Sequence, residues 1–130
     1  MMAKQKAIKK KKTLKIVPNA RINIKSSFNN TLISASDERG NVFAWSSTGK
    51  AGFKGTKKST PYASTQAAKM LIDKLHEAQV KEMDIFVAGV SFGRDAAIRA
   101  FGGANIKIRN IKDITPIPHN GCRPKKPRRV

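Results

Sequence analysis

Acidic residues are scarce in this chain. Eight Asp and Glu stand against 27 Lys and Arg, a formal net charge of +19 over 130 residues. Self-repulsion at that density opposes compaction, so a polyanionic partner is the natural counterweight. Cysteine is almost missing: Cys122 alone excludes an internal disulfide and leaves no cysteine cluster for zinc. Long apolar runs are missing too, the longest being Ile85 to Val90. With no amphipathic anchor either, nucleic acid is favoured over a membrane as the anionic partner. The N-terminus carries lysines but neither the apolar centre of a secretory signal nor the Arg/Ser-rich pattern of a transit peptide, so a cytoplasmic protein is expected.

What is present suffices for a fold. At 39% hydrophobic, 130 residues suit one domain with a real core. Residues Arg21 to Phe28 alternate Ile22, Ile24 and Ser26 against Arg21, Asn23 and Lys25, as in a half-buried strand. Asn29-Asn30 marks a turn, Thr31 to Ser36 a second strand, Asp37 to Asn41 another turn, and Val42 to Ser46 a third strand. Pro61 to about Ala78 predicts a helix with Ala63, Ala67, Leu71, Leu75 and Ala78 on one stripe. Met83 to Val90 is nearly continuous and apolar, the pattern of a parallel strand covered on both faces. A second helix is expected from Arg94 to about Ala104, ended by Asn105, and a last strand to about Ile111.

The fold class predicted is therefore α/β. A three-strand antiparallel meander and two parallel crossover strands make a mixed five-stranded sheet with flanking helices, in ribonuclease-H-like element order. Residues 1–20 read as a basic disordered arm, 21–114 as a single domain, and 115–130 as an extended basic tail in which alternating prolines block regular structure.

The charge has a geography. The arm holds seven lysines, the loop between the third strand and the first helix holds Lys50, Lys54, Lys57 and Lys58, and the tail holds Arg123, Lys125, Lys126, Arg128 and Arg129. None of the eight acids falls in these segments. The loop also carries Gly49, Gly52 and Gly55, with Phe53 among them, and ends in Thr60-Pro61, an N-cap followed by proline at the first helical position. Lysine charge, backbone N–H groups and the positive end of a helix dipole all favour phosphate oxygens. Arg94 adds a second helix N-terminus, or pairs with Asp95 or Glu82 on the helix surface.

Enzyme chemistry finds no support. A ribonuclease-H-like nuclease needs a carboxylate in its first strand to help hold two metal ions, and that strand has Arg21 and Lys25 instead. Gly89 to Arg94 has the wrong spacing for a phosphate-binding P-loop and lacks its Lys-Ser/Thr pair. His76 sits on a predicted helix surface, and His119 with Cys122 is too small a set for a metal. No cofactor is expected. Charge alone leaves open an architectural DNA- or RNA-binding protein.

Asp113 to Pro124, reading DITPIPHNGCRP before a basic end, closely resembles the C-terminal signature of the bacterial-type ribosomal protein S-eleven family of the small subunit. Ser26 to Thr31, Trp45 to Ser47, Gly52 to Gly55, Thr60 to Ala63 and Gly93 to Arg99 agree in order, so the resemblance spans Arg21 to Val130. Where the family usually has Gly-Pro-Gly, this chain reads Gly89-Val90-Ser91. Ser64-Thr65 replaces the usual Ala-Gln, and Lys125 stands where a second proline is common. The resemblance implies a structural rRNA-binding protein of the subunit platform, beside other platform proteins and near the mRNA path upstream of the decoding site. It adds Arg99, His119 and Asn120 to Arg94 and to the loop and tail cations as expected RNA contacts. Phe53 either stacks on a base or packs beneath its own loop.

Overall fold

Alternating apolar residues put Ala20, Ile22 and Ile24 on one side of β1 (Asn19–Ser26), and β2 (Thr31–Ser36) pairs antiparallel with it. The computed structural model describes residues 16–127 and residue 129. The Asp37–Asn41 turn is held by the Asp37 carboxylate, whose Oδ1 accepts from the N–H groups of Arg39 and Asn41, both at 2.9 Å. It returns the chain into β3 (Val42–Ser47), antiparallel to β2. After a loop with a short 3-10 turn (Gly55–Ser59) come α1 (Pro61–Glu77), β4 (Glu82–Ala88), α2 (Phe92–Gly102) and β5 (Lys107–Asp113). β4 lies parallel to β1 and β5 parallel to β4, giving a sheet of order β3-β2-β1-β4-β5. The mixed five-stranded sheet with flanking helices is as the residue pattern predicts.

Both helices lie on one face of this sheet, against each other and over the strands. Ala63, Ala67, Ala68, Leu71 and Leu75 of α1 and Ala97 and Phe101 of α2 are buried on Ile22, Ile24, Ile33, Met83, Ile85 and Val87. Burying a side chain such as Phe101 stabilises by about 1.5–3 kcal/mol, so this single interface supplies most of the driving force. The expectation that the fourth strand is covered on both faces is corrected. Met83, Ile85 and Val87 are buried, whereas Asp84, Phe86 and Ala88 point to the other side and are half-buried. That face carries no layer among the described residues.

Two boundaries also move. The body begins before residue 21: Val17 is buried and its N–H donates to Ala78 O at 3.0 Å, so residues 17–20 are anchored by the end of α1 rather than belonging to an arm. α2 starts at Phe92 because Ser91 is its N-cap, the Ser91 hydroxyl accepting from Gly93 N at 3.2 Å. The Gly103 cap ends this helix, and Asn105 takes the left-handed conformation, φ 57°, in the turn that follows. The arm over residues 1–15, Arg128 and Val130 lie outside the described residues.

Candidate nucleic-acid interface

The topology gathers one end of the sheet. Because β1, β4 and β5 run the same way, their C-terminal ends share an edge with the start of β2 and the end of β3. The lysine loop, the N-termini of α1 and α2, and the root of the tail all leave from this edge. Such an edge is where open α/β sheets usually hold ligands.

A network of small hydroxyl side chains locks this end together. Ser26 Oγ meets the hydroxyls of Thr31 and Ser91, and Ser64 Oγ donates to Thr31 Oγ1 at 3.1 Å. Asn30 Oδ1 accepts from Thr31 N at 2.8 Å and also from the Thr48 hydroxyl, which fixes the start of the lysine loop. The packing leaves no room for Cβ atoms at two glycines. A methyl on Gly93 would overlap Ser64 Oγ and lie 2.7 Å from Thr31 Oγ1. Gly89 has φ +93°, and a Cβ there would collide with the Ser26 backbone. Sequence reasoning found the turn residues but missed this network. Its only signal was the cluster of Ser and Thr at strand and helix ends.

The departure at Gly89-Val90-Ser91 is thereby accounted for locally. Ser91 supplies the helix cap and a bond to Ser26, while Val90 stays exposed.

The loop cations reach solvent in a partly ordered setting. Lys54 and Lys57 are exposed, Lys58 is half-buried, and Phe53 packs edge-on to Tyr62 with ring centroids 5.8 Å apart. Phe53 is half-buried, and the ring it meets belongs to the first turn of α1. Thr60 caps α1, its hydroxyl accepting from Ala63 N at 3.3 Å, and no acid sits in that helix's first turn. Lys50 turns toward the edge strand, where its Nζ lies 4.2 Å from the centroid of Trp45 and donates to Trp45 O at 3.2 Å. Lys74 donates to the same carbonyl at 3.4 Å. The Lys74 side chain, through hydrogen bonding first and like-charge repulsion last, with burial between them, draws the Lys50 amine below its usual pKa.

Arg94 has partners other than those expected. Its guanidinium donates to Gly89 O at 3.0 Å and pairs with Asp113 at 2.7 Å, not with Asp95 or Glu82. Asp113 Oδ1 also accepts from the hydroxyl and N–H of Thr115, at 2.6 and 2.9 Å. These Thr115 bonds, and then Arg94, hold the Asp113 carboxyl down at about 2. Thr115 Oγ1 accepts from Gly89 N at 3.1 Å, so the tail is stitched to the α2 entrance. From Pro116 onward the described tail has no regular element, and His119, Asn120, Arg123, Lys125, Lys126 and Arg129 are all exposed.

Not every candidate joins this end. Arg99 lies seven residues along α2 from Phe92, about 10 Å at 1.5 Å per residue, facing Lys69 and His76 of α1. Residue 16, where the described chain begins, is at the opposite end of β1. Most acids are at that far end as well. Arg109 gathers Asp84 at 2.9 Å, Glu82 at 3.7 Å and Glu38 at 4.0 Å. Only Asp95 and the Arg94-paired Asp113 stand near the basic end. Exposed aromatics there escaped sequence reasoning: Phe28 is 79% and Phe92 83% exposed, beside Tyr62 and Val90. No group of three or more His, Cys, Asp or Glu able to hold a metal occurs among the described residues.

Comparison with known proteins identifies the family. The model of the family described as ribosomal protein S11 matches residues 20–129. A curated relative from Chlorobaculum parvum (strain DSM 263 / NCIMB 8327), named small ribosomal subunit protein uS11, is 47% identical over 124 residues. The alignment covers 95% of this chain and 98% of that protein. With both its length and its ordered motifs matched, the chain belongs to the ribosomal protein S11 family, whose members are structural and not enzymatic components of the ribosome.

Proposed function

We propose that the chain is a structural constituent of the small ribosomal subunit that binds platform rRNA through the lysine loop, the basic tail and the N-termini of α1 and α2. The observation that carries this reading is the segregation of charge along the sheet. Loop and tail cations leave one end, while Glu38, Glu82 and Asp84 are neutralised at the other. Lys54, Lys57 and Lys58 supply phosphate contacts that fix position, and the tail cations extend that grip away from the body. The resemblance supports a seat near the upstream mRNA path and beside other platform proteins. The ribosome in the cytoplasm is the corresponding location.

The test is a salt titration. Replacing Lys50, Lys54, Lys57 and Lys58 with Ala leaves the fold intact and weakens binding to small-subunit rRNA. If all four touch phosphates, the log–log salt slope becomes shallower by about 3. An unchanged slope means that the loop does not meet phosphate.

A further inference from the structure

The uncovered face of the sheet has the makings of a second RNA surface, adjoining the basic end and sharing Lys50 with it. One cross-strand row runs Trp45, Ser34, Asn23, Phe86, Lys112 over all five strands, as the pairing registers fix it. Trp45 is 51% exposed, and Phe86 is half-buried at the foot of an open cleft of about 400 Å³ shared with Arg21 and Asn23. At a strand spacing of about 4.8 Å, the two rings stand about 14 Å apart across the sheet. Between them the Ser34 hydroxyl and the Asn23 amide make no hydrogen bond among the described residues, leaving donors and acceptors on the floor.

The charge on this face discriminates between occupants. Its acids, Glu82 and Asp84, are paired with Arg109 and Lys107. Among the described residues its remaining cations are not in ion pairs: Arg21 lies 5.8 Å over the Phe86 ring, and Lys25 and Lys112 are exposed. At the edge, Lys50 and Lys74 converge on one carbonyl, the Trp45 O, at 3.2 and 3.4 Å. Such an arrangement is relieved by an anion. Flat rings flanked by free cations over an unsatisfied polar floor match an unpaired polynucleotide, whose bases stack on aromatic faces while its phosphates meet Lys and Arg.

We propose that this open face binds an unpaired stretch of RNA, with bases stacked on Trp45 and Phe86 and phosphates held by Arg21, Lys25, Lys50 and Lys112. The inference rests on reading the chain as an RNA-binding protein, and it adds base contacts to the phosphate contacts of the basic end.

Trp45 is the sole tryptophan, so its fluorescence reports on this face alone. The full chain is titrated with 5′-labelled octaadenylate and with an octamer of abasic ribonucleotides carrying the same phosphates. Octaadenylate quenches Trp45, and the abasic octamer binds without quenching. Phe86→Leu, which keeps apolar bulk but removes the flat ring, weakens octaadenylate about fivefold or more and leaves the abasic octamer unchanged. Equal binding of both probes with Trp45 unquenched overturns the proposal while leaving phosphate binding by loop and tail in place. Binding of neither removes both readings. In assembled subunits, Trp45→p-benzoylphenylalanine crosslinks to rRNA on irradiation. A crosslink only to a neighbouring protein makes the face a protein interface and overturns the proposal.

Discussion

Gly89→Ala is the sharpest probe of how the basic end is built. The residue has φ +93°, and the new methyl would collide with the Ser26 carbonyl, whose carbon lies only 3.0 Å from the built Cβ. The obstacle is backbone at the paired ends of β1 and β4, next to the Lys25–Ala88 register, so no rotamer change relieves it. The left-handed conformation costs about 1–3 kcal/mol for a residue with a Cβ. Forced repacking in a tight site adds about 1–3 kcal/mol more. A net loss of about 3 kcal/mol lowers the melting temperature of a folded body of roughly 100 residues by about 14 °C, using about 2.1 cal/mol/K per residue. Gly102→Ala is the control, since its Cβ meets nothing within 4 Å and it sits on a helix. That change is neutral or stabilises by up to about 1 kcal/mol. Because Gly89 also donates to Thr115 and accepts from Arg94, the variant loosens the tail root and weakens rRNA binding. Thermal denaturation of both variants decides the matter. A Gly89→Ala protein as stable as the parent would falsify the close β1–β4 approach.

Deleting Arg123 to Val130 shifts the melting temperature by less than about 2 °C, because the described residues there are exposed, yet impairs incorporation into subunits. A drop of many degrees in the free protein means that the tail packs on the body. Asp113 has its folded pKa lowered to about 2, below the ordinary value of 3.8. Its contribution to stability is therefore present above pH 3.8 and is lost as the pH falls through about 2. Asp113→Asn flattens the stability curve in that window, and chemical denaturation at pH 2 to 5 showing identical slopes in both proteins contradicts it. Asn120, exposed with φ 61° and followed by Gly121, deamidates in the aged free protein and more slowly once the tail is clamped in the subunit. Peptide mass spectrometry showing equal conversion in both removes the idea of a clamp.

Much of this fold was legible because its residues alternate or repeat at helical spacing. Ile22, Ile24 and Ile33 fall on the core side as their positions dictate, and the Ala67-Leu71-Leu75 stripe is buried as its spacing requires. Thr60-Pro61 starts α1 where the dipeptide predicts. The fourth strand misled because Phe86 and Ala88 are apolar but face outward. An apolar run does not reveal which face is covered, because an outward ring such as Phe86 reads the same in sequence as an inward one. Basic segments were visible as charge, but which of them share an end depends on strand direction. That long-range fact separates Arg99 and the start of the described chain from the loop and tail. Arg94 was misassigned for the same reason: Asp113 lies nineteen residues away and meets it only through the parallel pairing of β4 and β5.

The central claim is that the basic end of the sheet is the rRNA-binding end. Hydroxyl-radical cleavage of rRNA in assembled subunits, from iron chelates tethered at single introduced cysteines in a Cys122→Ser background, tests it most directly. Tethers at Thr56 in the lysine loop and at Gly121 in the tail cleave a common set of platform nucleotides, whereas a tether at Arg39 in the far turn cleaves them weakly or not at all. Strong cleavage of those nucleotides from Arg39, with none from Thr56 or Gly121, would place the RNA at the opposite end and contradict the account.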